Sequence, residues 1–222
     1  MNATIKAAAI TLLVATPLQA QNFGDGQMGL GVGVSTLGVT GDLSYQLDPT
    51  LTVRMLAGAA SISRSGTLDE DNTTADYRAT LRIGGIGPVV DYHPFENGWR
   101  LSGGALLSNY RVTARFTGDI EIGDDNPTTY EDADVRARLR TKNSVMPKLA
   151  LGYSGSNLFG SPLGLSFDAG VLYTGGIRTR ITDRSDVALP EEDLNTLRRD
   201  IDDAIGNVRF LPYVSAGLRM NF

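Results

Sequence analysis

Histidine occurs once in this chain, at position 93, between Tyr92 and Pro94. Serine and cysteine nucleophiles usually need an imidazole that a carboxylate orients, so a hydrolytic site would have to be built around His93. Its nearest candidate partners, Asp91 and Ser102, both fall in segments of strand-like alternation. A histidine beside proline in a short turn is accounted for by the turn, and no catalytic residue is assigned. Cysteine is absent, which removes thiolate nucleophiles, thiolate metal sites and disulfides together. Asp69, Glu70 and Asp71 form one acidic run, and a second spans Asp119 to Asp134. Neither has the D-x-D-x-D-G spacing that wraps calcium, so both read as solvated acidic loops, and no metal or cofactor is expected. Gly29, Gly31 and Gly33 lack the strand, helix and acidic residue of a dinucleotide fingerprint; packing inside a narrow fold explains them better.

Whatever these residues do, the elements around them must place them. The 222 residues suit one domain, and with 41% hydrophobic and 20% charged residues the chain is too apolar for disorder. A formal net charge of −5 gives no global basic surface, so no nucleic-acid partner is expected. Residues 1–20 read as a signal peptide: Lys6 is the positive start, Ala7 to Thr16 is uncharged, and Ala20 is a small residue at the cleavage site.

From residue 21 onward the apolar period is two. Met28 to Val34, Leu37 to Leu47, Leu51 to Ala59 and Tyr77 to Tyr92 alternate, the last slipping at Gly84-Gly85 in the manner of a bulge. Trp99 to Phe116 changes parity near Ser108-Asn109, whereas Val135 to Tyr153 and Leu163 to Ile177 hold one parity throughout. Phe210 to Phe222 completes a set of eight strands. Connections after strands two, four and six are short, and those after three, five and seven are long, near 65–75, 117–134 and 178–207; the tight turn after strand one, at Ser35-Thr36, departs from this alternation. Short turns at one rim and long loops at the other describe a membrane barrel, with Tyr45, Tyr92, Trp99, Tyr153 and Phe210 as its aromatic girdle. The fold class is therefore all-β: an eight-stranded antiparallel transmembrane β-barrel over residues 21–222.

The chain ends on Phe222 after apolar residues at alternate positions, which resembles the signal read by the barrel-assembly machinery. Its whole mature length resembles the small OmpA, OmpX and OmpW type of Gram-negative outer-membrane barrel. Asp91-Tyr92-His93-Pro94-Phe95 with Gly98-Trp99-Arg100-Leu101-Ser102-Gly103-Gly104 resembles a hairpin of an uncharacterised outer-membrane family. The resemblance implies an outer-membrane location, with membrane lipids and lipopolysaccharide as neighbours. Loose bridging of the acidic loops to lipopolysaccharide phosphates by Mg²⁺ or Ca²⁺ is the metal chemistry open to them. Lipid A deacylases and palmitoyl transferases of this fold carry serine and histidine toward the outer leaflet or barrel exterior, and this chain has no second histidine for that place.

Eight strands leave a lumen that side chains fill. Counting across the turns sets Asp91 opposite Arg100 and Lys148 opposite Asp168, as inward ion pairs. Above them Arg111, Arg115, Arg136, Arg138, Arg140, Arg178 and Arg180 share the inward parity and read as a basic vestibule. Pro190 to Ile205, with acids in its first turn, apolar residues at helical spacing and Gly206 as a cap, reads as an amphipathic helix in the last long loop. It serves either as a lid or as a helix docked by its apolar stripe. The leading functional reading is a monomeric, non-enzymatic barrel with a structural or surface-interaction role. A narrow channel for small anionic solutes is the alternative, and a lipid-modifying enzyme comes third.

Overall fold

The computed structural model describes residues 27–70, 73–95, 97–108, 110–122, 128–155, 163–185, 190–205 and 208–222. The expected signal peptide and Gly206 lie outside them. The strands are β1 (Met28–Ser35), β2 (Gly38–Asp48), β3 (Leu51–Glu70), β4 (Thr73–Tyr92), β5 (Trp99–Ser108), β6 (Arg111–Ile122), β7 (Thr128–Thr141), β8 (Val145–Ser154), β9 (Leu163–Tyr173), β10 (Ile177–Asp183) and β11 (Phe210–Asn221). Helix α1 (Glu191–Ile205) precedes β11, at the place expected for it.

Eight of the strands close a ring, β1-β2-β3-β4-β5-β8-β9-β11, with β4–β5 and β11–β1 pairings completing it. Every pairing is antiparallel. The remaining three continue β5, β8 and β9 past short breaks, so that β3, β4, β6, β7 and β10 form a five-stranded sheet rising from one side of the barrel. Much of what the sequence suggested as loop near 65–75 and 117–134 is therefore strand. The opposite side ends low, at the tight β1–β2 turn at Thr36-Leu37.

Each barrel strand turns an apolar residue outward: Val32, Leu43, Met55, Ile86, Leu107, Leu149, Val171 and Val214 are all 40–61% exposed. In water this continuous belt would be an aggregation surface; in a bilayer it is the solvated face. Trp99 and Tyr153 meet edge to face at 5.4 Å on the short-turn rim. Tyr173 and Phe210 meet at a tilt of 55°, 5.3 Å between ring centres, at the other end, as an aromatic girdle requires.

Above the belt the pattern inverts. The slip at Gly84-Gly85 is not a bulge: β4 pairs with β3 in one unbroken register from Leu51↔Tyr92 to Glu70↔Thr73. Its register with β5 and β6 is also continuous, from Ile86↔Leu107 to Arg82↔Arg111. Arg82 therefore points to the same side as the lipid-facing Ile86, while Tyr77, Ala79 and Leu81 point the other way. Where the sequence holds parity, the backbone slips instead. Between Leu107↔Val145 and Arg111↔Arg140 there are four steps on one strand and five on the other. Gly175 and Gly176, with φ of 72° and 109°, bend the chain between β9 and β10, a conformation that L side chains rarely adopt. As a result Ala133, Val135, Ala137 and Ile181 are buried on the inner side of the raised sheet, where α1 contacts β10. On α1, Leu194, Ile201 and Ile205 are half-buried and Glu191, Glu192 and Asp202 are exposed, so the helix is docked by its apolar stripe.

Candidate functional site

The lower lumen holds a buried charge network. Arg54 donates from Nη2 to Asp91 Oδ1 at 2.9 Å, with its Nε 2.8 Å from Oδ2. Arg100 Nη2 donates to Asp168 Oδ1 at 2.8 Å and to Ser166 Oγ at 2.9 Å, and its Nη1 donates to Ser154 Oγ. Ser102 Oγ donates to Asp91 Oδ1 at 2.6 Å, and Arg54 Nη1 lies 3.5 Å from Asp168 Oδ2, joining the two halves. Asp42 and Arg219 pair at 2.6 Å nearby. Glycines make the room: a Cβ on Gly31 would strike the Asp42 carboxylate, and one on Gly152 would strike Asp168 and Arg100.

Two expected pairings are corrected. Asp91 stands opposite Ser102 in register, not Arg100, although both face inward and Arg100 still pairs with it ionically, Nε to Oδ2 at 3.8 Å. Lys148 stands opposite Gly104 on one side and Leu172 on the other, while Asp168 faces Gly152. The Lys148 Nζ lies 4.3 Å from the centroid of the Tyr213 ring and has no hydrogen-bond partner among the described residues. Both miscounts are even. A one-residue slip would turn every side chain to the wrong face, whereas a slip of two or four leaves the faces intact and is invisible in the pattern. Arg54, the hub of the network, could be placed inward by parity, but its partner depended on register.

Over the network lies an apolar septum. Leu56 is the next inward position above Arg54, and Val89 the next above Asp91; with Leu106, Met146 and Leu172 they are at most 2% exposed. Leu37 folds in from the β1–β2 turn at 0%, and Tyr213 completes the cluster at 1%. Tyr110 packs against this layer and donates to the Thr36 carbonyl at 3.2 Å.

The arginines expected to form a vestibule lie on the opposite face. In one row across the raised sheet, Arg82 pairs with Arg111, Arg111 with Arg140 and Arg140 with Arg178. Arg138 pairs with Arg180 in the next row, and Arg78 with Arg115 and Arg115 with Arg136 in the third. All point outward, on the side of the belt. Arg78 and Arg82 belong to this face too; a bulge at Gly84-Gly85 would have turned them inward with the other polar residues, and the unbroken register turns them outward. Among the described residues, only Arg115 of this set has a carboxylate partner, Asp134, at 2.5 Å from Nη2 and 2.7 Å from Nε. That hydrogen bond, ahead of other influences, holds the Asp134 carboxyl below its usual range. Arg111 is pushed below the ordinary arginine value, first by loss of water and then by Arg140, Arg138 and Arg82.

His93 is half-buried in the β4–β5 turn, and its backbone N–H donates to the Thr50 carbonyl at 2.7 Å. Burial pulls the imidazole below its ordinary value, and Nδ1 has no hydrogen-bond partner among the described residues. Ser102 is committed to Asp91, so these three do not assemble into a nucleophile, base and orienting acid.

No family model matches the chain, and no curated protein sequence matches it. Among solved structures it is similar to CarO2 of Acinetobacter baumannii, with 20% identity and a TM-score of 0.57 over 88% of this chain and 98% of that one. It is similar also to CarO of Acinetobacter baumannii, with 19% identity and a TM-score of 0.55 over 87% and 97%. At these identities the likeness is one of fold, that of the antiparallel outer-membrane β-barrel.

Proposed function

We propose that this protein is a sealed, non-enzymatic barrel of the bacterial outer membrane whose role is structural or surface-interacting and is carried by its outer wall. The apolar septum carries this reading. Ions crossing the lumen would have to pass a layer of leucine, methionine and tyrosine side chains packed over a closed ion-pair network. The channel reading loses its support, because the arginines that would select anions face away from the lumen.

Planar-bilayer recording tests the proposal. The wild-type barrel is expected to give no stepwise conductance, and the triple variant Leu106→Gly, Met146→Gly, Leu172→Gly is expected to open one. Steady single-channel steps from the wild type would refute the sealed lumen.

A further inference from the structure

Like charges directly opposite one another across strands destabilise a sheet, and the raised sheet repeats that arrangement in three rows. Neighbouring strands are about 4.8 Å apart, so the guanidinium stems of Arg82, Arg111 and Arg140 begin side by side. Arg111 Nε is buried without a hydrogen-bond partner among the described residues. Among the described residues no carboxylate pairs with Arg82, Arg111 or Arg140; an external polyanion would turn this crowding from a cost into a binding surface.

The wall below is shaped as well. One outward position beneath Arg82 is Gly84, and one beneath Ser61, its neighbour on β3, is Ala59. With Gly41, Ala57, Ile86 and Leu107 these small residues line an apolar groove of about 460 Å³ in the lipid-facing surface. A Cβ added at Gly41 would meet only the Gly31 carbonyl, at 3.8 Å, so the space in front of it is open. Above the first arginine row, Arg78, Arg115 and Arg136 line a second, polar groove of about 690 Å³ with hydroxyls from Ser65, Thr80 and Thr113 and one carboxylate, Asp76, which accepts from the Thr67 hydroxyl at 2.7 Å. Arg78 and Arg82 are four residues apart on one strand, which separates the two rows by about 14 Å.

We infer that this outward face binds a bisphosphorylated glycolipid of the outer leaflet, the lipid A portion of lipopolysaccharide. An acyl chain lies in the groove at Gly41, Ala57, Ala59 and Gly84, one phosphate sits on the Arg82–Arg111–Arg140 row, and the other on Arg78 and Arg136 of the upper row, where Arg115 is held by Asp134. A phospholipid with a single phosphate would engage one row and leave the second unanswered, and its head would not reach across the hydroxyls between them. The inference rests on the outer-membrane reading above but not on the sealed lumen.

Native mass spectrometry of the protein, extracted from outer membranes and freed of lipid in non-ionic detergent, tests it. Bisphosphoryl lipid A is expected to be retained at least about tenfold better than phosphatidylglycerol, with monophosphoryl lipid A between them, since one charge-assisted bond is worth about that factor. The variant Arg82→Gln, Arg111→Gln, Arg140→Gln should lose at least about tenfold in lipid A retention, and Gly41→Leu should weaken it through the groove. Heat-modifiable migration on gels reports whether each variant is folded, and conductance of the same samples reports separately on the lumen. Should the variants not fold, phenylglyoxal labelling of the wild type keeps the question open to refutation: lipid A should protect Arg82 and Arg111 and leave Arg199 of α1 reactive. Equal retention of lipid A and phosphatidylglycerol, or no protection of Arg82 and Arg111, would overturn the site.

Discussion

Removing Asp168 should do more harm than removing the arginine it binds. Arg100 is 0% exposed and donates to Asp168 at 2.8 Å, while Arg54 lies 3.5 Å from the other carboxylate oxygen. In Asp168→Ala, Arg100 keeps only hydroxyl partners and the distant Asp91 contact at 3.8 Å, so the loss should reach the ~3–5 kcal/mol typical of a broken buried pair. Arg100→Met leaves Asp168 with Arg54 and the Ser215 hydroxyl at 3.2 Å, and should fall at or below the lower end of that range. The double variant Arg100→Met, Asp168→Leu removes both desolvation penalties and should recover about 2–3 kcal/mol relative to the sum of its own singles, Arg100→Met and Asp168→Leu. The cycle Lys148→Met, Asp168→Leu should show a much smaller coupling, because Lys148 pairs in register with Leu172 and packs over Tyr213. Reversible urea unfolding in thin bilayers measures every member of both cycles. A coupling of Arg100 with Asp168 below about 0.5 kcal/mol, or a larger one for Lys148, would refute the register on which the network depends.

Three other outcomes follow from the same geometry. Arg82→Gln with Arg111→Gln should raise the melting temperature in lipid-free detergent at low ionic strength, and the gain should shrink as salt screens the row, as melting curves across a salt series will record. Asp134 is held below its ordinary value by Arg115, so its contribution is present above the unfolded carboxylate value and lost as pH falls through the folded one. Amide protection in β6 and β7 should therefore hold down to about pH 4 and weaken below it, and Asp134→Asn should remove that dependence. Phe222 closes the β1–β11 seam, donating to the Met28 carbonyl at 2.8 Å and accepting from Met28 at 3.1 Å; its deletion should lower the yield of heat-modifiable barrel at native expression levels.

The alternating residues made the barrel legible, because a period of two with apolar residues such as Val32, Leu43 and Leu149 on one side admits few architectures. The helix was legible from its acids, apolar spacing and entry proline. Two things were not. Pairing Lys148 with Asp168 required the register across residues 155–162, and a side-chain pattern constrains register only to within even steps. The arginine face required knowing where the solvent on the outer wall changes from lipid to water. A parity change in sequence has two physical causes, an inserted residue or an exchange of environments between the two faces. At Gly84-Gly85 the second operates, and at residues 142–144 and at Gly175-Gly176 the backbone reverses instead. Both end with arginine outward, because a guanidinium is costly against lipid and at home in the headgroup layer.

The chain has no cysteine, so single introduced cysteines carrying nitroxide labels can read each position's surroundings in a bilayer. Labels at Ile86 and Leu107 should be relaxed by oxygen dissolved in lipid, and labels at Arg138 and Arg180 by a water-soluble nickel chelate. Labels at Val135 and Ala137, on the covered face of the same sheet, should be shielded from both. Shielded labels at Arg138 and Arg180 with chelate-accessible ones at Val135 and Ala137 would return the arginines to the interior and contradict the outward face.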